Sequence, residues 1–208
     1  MTSKKRASKI PNKPSLDGIE DTWCNKWEKD GTYSFDRDKT REEVFSIDTP
    51  PPTVSGSLHV GHVFSYTHTD AIARYQRMIG KEVFYPMGWD DNGLPTERRV
   101  QNFFGVRCDP SLPYDPEFET PPDAGDPKAI KARGEFDISR RNFIELCHIL
   151  TAEDEKAFEA LWRRLGLSVD WNLTYATIDE KCQRVAQRAF LKNLDRGEAY
   201  QTEAPSLW

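Results

Sequence analysis

Three consecutive prolines, two glycines and a pair of histidines are crowded into IDTPPPTVSGSLHVGH, Ile47 to His62. Proline fixes φ and lacks an N–H, so neither a helix nor the interior of a sheet can run through Pro50, Pro51 and Pro52. Just before them Val44, Phe45 and Ile47 form a short apolar run suited to a buried strand. After them Val60, Phe64, Ala71, Tyr75 and Met78 recur at roughly helical spacing until Gly80. A second apolar run, Val83 to Pro86, follows at once. Strand, helix and strand in so short a span predict a parallel βαβ unit, with the right-handed crossover such units adopt. The proline-glycine stretch is then its first strand-to-helix loop. Open α/β sheets bind ligands there, and helix N–H groups favour anions. Gly56 and Gly61 would let backbone come close to a phosphate.

With 208 residues, 37% hydrophobic and 30% charged, the chain suffices for one core or a core with an appendage. No window approaches the roughly 18 uninterrupted apolar residues of a membrane span, and MTSKKRASKIPNKP lacks the apolar stretch of a secretory leader. A globular, soluble, cytoplasmic protein without membrane association is expected. Cys24, Cys108, Cys147 and Cys182 lie far apart with no C-x-x-C pairing. Reduced, mostly buried thiols are therefore expected rather than a disulfide framework or a zinc knuckle, and no zinc ligands are evident. Residues 1–14 hold Lys4, Lys5, Arg6, Lys9 and Lys13 and no acid; setting these aside from the 29 basic residues leaves 24 against 34 acids. This pattern predicts a basic disordered tail on an acidic body.

Ser15 to Lys29 reads as a first helix capped by Ser15, within a helical segment 15–42 that places Trp23 and Trp27 one turn apart. Beyond the second strand, MGWDDNGLPTE is a loop and Thr96 to Phe104 a short helix. The span 106–134 reads as an acidic, proline-rich loop, because Pro110, Pro113, Pro116, Pro121, Pro122 and Pro127 disfavour helix and central strand. Two helices follow, ISRRNFIELCHIL and then TAEDEKAFEALWRRLG, the second opened by a capping box at Thr151 and Asp154. Another runs from a cap at Thr177 through Leu194 to Gly197, and a last strand is expected near Ala199 to Thr202.

His59 and His62 are spaced i, i+3. If the helix begins near Leu58, both imidazoles project from one face of its first turn, where two donors suit the charge that develops on a phosphoryl group. His68 lies two turns on, outside that pair. The spacing alone equally fits a metal pair or a helix surface. Asp90 and Asp91, in WDDNG, fit a turn; Asp90, at the end of the second strand, also fits a carboxylate that pairs with a cation.

PPPTVSGSLHVGH resembles the HIGH element with which class I aminoacyl-tRNA synthetases bind ATP, in the form carried by the valine branch of the enzymes for branched aliphatic amino acids. Other pieces stand in that family's order: the tryptophan-bearing first helix, DAIARYQRMIGKEVFYPMGWDDNGLPTE, ISRRNFIELC, LGLSVDWNLTYATID and FLKNLDRGEAY. The resemblance covers essentially all of the chain after the basic tail. It implies an α/β fold, the first half of a Rossmann-like nucleotide-binding domain over 43–208 with additional helices. It further implies that Gly56, His59, Gly61 and His62 bind ATP, with His59 and His62 catalytic; that Pro51, Pro52 and Thr53 line the amino-acid pocket; and that Asp90 holds the substrate ammonium. ATP with Mg²⁺, L-valine and tRNA(Val) are the implied substrates, and the implied state is a monomer. Thr53 stands where many valine enzymes have asparagine, and DDNGLPTE replaces a DHAGIATQ-like wording, nearer to isoleucine and leucine enzymes. The family's inserted editing domain and its later KMSKS signature have no counterpart in these residues. The chain therefore reads as an N-terminal portion of such a ligase, inactive by itself. An isoleucine enzyme, or a synthetase-like module that binds tRNA or protein without catalysis, are the alternatives.

Overall fold

The computed structural model describes residues 15–55 and 58–205; the basic tail and Gly56 lie outside the described residues. The middle of the molecule is the extended segment from Glu82 to Asp90. Its first part, β2 (Glu82–Phe84), pairs in parallel with β1 (Val44–Ser46), Phe45 opposite Val83. Its last part, β3 (Gly88–Trp89), pairs in parallel with β6 (Tyr175–Ala176). Between and beyond these ladders single bonds continue the pairing. Ile47 N–H donates to the Phe84 carbonyl (2.9 Å), Asp170 N–H to that of Tyr85 (3.1 Å) and Thr177 N–H to that of Trp89 (2.9 Å). Helix α2 (Val60–Met78) carries the chain from β1 to β2, which is the expected βαβ unit.

The face that α2 buries is not the one its apolar spacing suggests. Val60, Phe64, Tyr75 and Met78 are exposed, whereas Tyr66, Asp70 and Ala73 are buried. The buried side is organised by polar groups. The Asp70 carboxylate accepts from the Ser168 N–H (2.6 Å) and hydroxyl (2.5 Å) and pairs with Arg74 at 2.7 Å, while Arg77 donates to the Ser168 carbonyl at 2.9 Å. A buried carboxylate is tolerable when it is this fully hydrogen-bonded.

Two apolar cores result. The first gathers Ile47, Val54, Tyr66, Val83, Tyr85, Met87 and Trp89 with Phe158 and Trp162. The second gathers Val100, Phe104, Val106 and Ile138 with Phe143, Leu146 and Leu150. One helix, α5 (Arg140–Arg164), serves both: its first half fills the second core and its second half the first.

That division explains a difference from the sequence expectation. Instead of two helices with a cap at Thr151, α5 runs unbroken for 25 residues. Thr151 is buried at the changeover, its hydroxyl turned back to the Cys147 carbonyl (2.9 Å), and Asp154 serves Arg99 of the helix over residues 94–104 rather than a cap.

The span 106–134 is also more regular than its prolines suggest. It opens with β4 (Val106–Asp109), ahead of the first proline, and closes with α4 (Pro127–Arg133), where Pro127 occupies a first-turn position that needs no N–H and Asp126 caps the start. β4 pairs in parallel with β5 (Phe136–Ser139), a strand with no clear sequence signal, whose Ser139 caps α5. Three boundaries shift as well. The first helix, α1 (Ile19–Lys29), starts after Gly18 in a left-handed conformation rather than at Ser15. Helix α3 spans Leu94–Phe104. Helix α6 (Glu180–Asp195) is capped by Asp179, not Thr177. Residues 199–202 form no strand. All four cysteines are free but half-buried rather than buried, and desolvation raises the thiol pKa of each, to about 11 for Cys147.

Candidate nucleotide and amino-acid site

His59 does not sit inside α2 but is its cap residue, with extended backbone. Its ring nitrogen Nδ1 accepts the Gly61 N–H (3.1 Å), and Nδ1 of His62 accepts the His59 N–H (3.3 Å). The two rings lie 4.0 Å apart, centroid to centroid. This is the reciprocal geometry of a capping box, made here with imidazoles. A Cβ at position 61 would come within 2.9 Å of the His59 ring, so only glycine permits the contact.

The reciprocal cap fixes the tautomer of both rings. A nitrogen that accepts carries no proton, so in each neutral imidazole the proton resides on Nε2. Each ring thereby keeps one N–H donor that the cap does not use. Desolvation, followed by the charge of His59, lowers the pKa of His62 and favours this neutral form.

Asp90 follows β3 directly and forms an isolated parallel bridge with Thr53. Its N–H donates to the Pro52 carbonyl (2.9 Å), and Val54 N–H donates back to the Asp90 carbonyl (2.8 Å). Its carboxylate accepts from the hydroxyls of Thr53 (3.1 Å) and Thr177 (3.4 Å). Thr177 also accepts the Asp91 N–H at 3.2 Å and faces the Asn92 amide at 3.2 Å. The prolines end the first strand, and the carbonyl of buried Pro52 becomes the acceptor that holds Asp90. Pro51 is half-buried beside it. Tyr66 of α2 donates its hydroxyl to the Pro50 carbonyl (2.5 Å), which fixes the proline run to the helix that the histidines cap.

Phe158 neighbours both the histidine pair and the residue that precedes Asp90. Its buried ring lies 6.5 Å from the ring of His62 and 6.5 Å from that of Trp89, the residue before Asp90. His68, by contrast, packs on Phe64 along the exposed side of α2. A cavity of about 230 Å³ lies elsewhere, among Trp27, Tyr33, Arg163 and Trp171, and none of the candidate residues lines it.

Sequence reasoning missed Thr177, Phe158 and Tyr66 as parts of this arrangement. Thr177 stands just ahead of a helix and so reads as a cap; its bonds to a loop some eighty-seven positions earlier leave no local trace. Phe158 and Tyr66 read as ordinary apolar helix positions.

The family model described as tRNA synthetases class I (I, L, M and V) matches residues 22–110 and 127–208, passing over part of the proline-rich span. This chain belongs to the class I tRNA synthetases. A valine–tRNA ligase of Thermobifida fusca is 70% identical over 208 residues, all of this chain and 23% of that protein. One of Bifidobacterium longum is 67% identical over 199 residues, 96% of this chain and 22% of that protein. The chain thus spans less than a quarter of the length of these two curated relatives. Among solved structures, a ternary complex of LeuRS, tRNA and LeuAMS from Agrobacterium radiobacter superposes with a TM-score of 0.63 at 22% identity, covering 88% of this chain and 18% of that one. That likeness fixes the fold of a class I synthetase for nearly all of the chain.

Proposed function

We propose that this chain is the N-terminal portion of a valine–tRNA ligase. Residues 43–208 form the first half of its Rossmann-like catalytic domain, and residues 15–42 a helical segment before it. In the complete enzyme the valine carboxylate attacks the α-phosphate of ATP, giving valyl-adenylate and pyrophosphate, and the acyl group then passes to the terminal ribose of tRNA(Val).

The observation that carries this reading is the reciprocal His59–His62 cap. It leaves an Nε2–H donor on each ring beside the positive end of a helix dipole, a combination suited to charge growing on a phosphoryl group. Gly61 permits the cap, and Gly56, which lies outside the described residues, would join the nucleotide side. On the other side, the Asp90 carboxylate would pair with the substrate ammonium, and Pro51, Pro52 and Thr53 would give a stiff wall for a small branched side chain. Magnesium arrives with the nucleotide as part of the substrate. No three His, Cys, Asp or Glu side chains converge to hold a metal among the described residues. Phosphate oxygens and water would supply most of its ligands on this side.

Valine is favoured over isoleucine because relatives matching this chain at 65–70% identity are valine–tRNA ligases. No helix among the described residues is long and apolar enough to cross a membrane. We place the enzyme in the cytoplasm, as a monomer.

The test is valine-dependent ATP–pyrophosphate exchange by the full-length enzyme. Exchange driven better by isoleucine would overturn the choice of amino acid. The 208-residue chain alone should give no aminoacylation, since loss of even one preorganised donor typically costs ~10²–10³ in rate. Activity of the isolated chain would show that these residues hold a complete site.

A further inference from the structure

Asp91 is the acid in WDDNG that the proposed reaction leaves unused. It is 3% exposed, and neither carboxylate oxygen finds a donor among the described residues. A lone carboxylate so deep in the protein would not remain ionised without compensation. Its neighbour is a second acid. Glu155, from the middle of α5, lies within hydrogen-bonding reach, and desolvation followed by this contact pushes its pKa up to about 8. Burial raises Asp91 as well. Two carboxyls in contact cannot both ionise cheaply, whereas one proton between them turns repulsion into a short charge-assisted bond.

The surroundings favour that sharing. Asp90 on the same loop and Asp154 on α5 add negative charge around Asp91, which His148 of α5 opposes, and Glu159 does the same for Glu155. The nearby guanidinium groups are taken: Arg99 holds Asp154 at 2.6 Å, and Arg163 holds Glu159 at 2.6 Å.

We propose that Asp91 and Glu155 are positioning residues that share a single proton, and that this bond between the WDDNG loop and α5 sets where the adjacent Asp90 carboxylate stands. The inference rests on the reading of Asp90 as the partner of the substrate ammonium. The same stretch of α5 carries Phe158, which supports both Trp89 and His62. The Asp91 N–H is held by the Thr177 hydroxyl that also reaches Asp90. Losing the shared proton leaves the buried Asp91 charge facing the half-buried Glu155 charge, pressing the loop away from α5, and Asp90 is the residue next to the strain.

The direction with pH follows from the raised affinity. In the unfolded chain both acids release their protons in the ordinary carboxylate range, whereas the folded pair keeps one until about pH 8. The pair's contribution is therefore complete in acid, declines as pH rises, and is gone above the folded value.

In the full-length enzyme, KM for the amino acid should climb on the alkaline side near pH 8 while KM for ATP moves less. Glu155→Leu should raise KM for the amino acid roughly tenfold at neutral pH, as expected when one buried bond that places a binding group is lost. Glu155→Gln, whose amide donates to Asp91 without titrating, should recover most of that loss and flatten the alkaline climb. Independently, the infrared difference between wild type and Glu155→Gln at pH 7 should contain a protonated carboxyl band. An unchanged alkaline climb in Glu155→Gln, or no such band, would overturn the proposal. The infrared measurement needs no substrate, so it decides the shared proton even if valine fails to drive exchange, which would instead defeat the functional reading.

Discussion

The two loops that build the candidate site are held by different means. The first, from Pro50 to His62, is tied locally at its two ends, His59 to Gly61 and His62 and Pro50 to Tyr66 sixteen positions on, and only its middle, Pro52 to Val54, is bonded to the distant Asp90. Its cap is at the solvent edge, with His59 exposed and His62 half-buried. The second, from Gly88 to Gly93, is tied to distant elements. Asp90 reaches Thr53 and Thr177, thirty-seven and eighty-seven positions away, and Asp91 is buried against α5. On the proposed reading, the locally held loop would present donors to a large, flexible, highly charged nucleotide. The loop pinned from three elements would provide the fixed geometry that discrimination among small amino acids requires, where a single methylene is worth only about 1–3 kcal/mol.

Removing the support common to both loops should have the largest effect. Phe158→Ala deletes the buried ring between His62 and Trp89, and truncation of a core phenylalanine costs about 3–5 kcal/mol. Amide exchange should accelerate in both loops of the full-length enzyme, and KM for ATP and for valine should rise together. Acceleration confined to one loop would show that they are not mechanically joined.

His59→Asn separates chemistry from structure at the first loop. Asparagine is a good cap residue, so thermal stability should change little, whereas loss of the imidazole donor should slow pyrophosphate exchange ~10²–10³-fold. A loss below tenfold would reduce the ring to its capping role. At the second loop Thr177→Val removes a hydroxyl bonded to Asp90, Asp91 and Asn92. One or two buried bonds are worth about 1–2 kcal/mol, so KM for valine should rise about tenfold with KM for ATP nearly unchanged. Equal changes in both constants would erase the contrast between the loops.

The same contrast explains what the sequence revealed. β1, α2 and β2 show themselves through local periodicity, and the histidine pair through residues three apart, because the interactions that make them are local. The partners of Asp90 and Asp91 come from segments whose own patterns mean something else: Thr177 reads as a cap, and Glu155 falls inside a helical pattern with nothing to mark it. The unbroken α5 was hidden for a similar reason. Thr151 and Asp154 have the spacing of a helix start, and only the meeting of two cores at that point shows why the helix continues. The outward apolar residues of α2 likewise mislead, since the buried side of that helix is paid for by Asp70, Arg74 and Arg77 rather than by an apolar stripe.

The smallest effect distinguishes the loops by sign. His62 has a lowered pKa, through desolvation and the nearby His59, so on acidification the unfolded chain takes up a proton before the folded one does. The stability linked to this ring is present above the ordinary histidine value near ~6.5 and is lost as pH falls through the lower folded value. Protonation at Nδ1 removes the acceptor of the His59 N–H, half of the reciprocal cap, a loss of about 1 kcal/mol at a helix start. Amide exchange at residues 59–63, corrected for its intrinsic pH dependence, should therefore increase toward acid. His62→Gln should abolish that increase, because glutamine at the same helix position accepts the same N–H without titrating. The acid pair at the second loop weakens toward alkali, so opposite pH responses in the two loops are the expected signature, and a common direction would mean that a single group governs both.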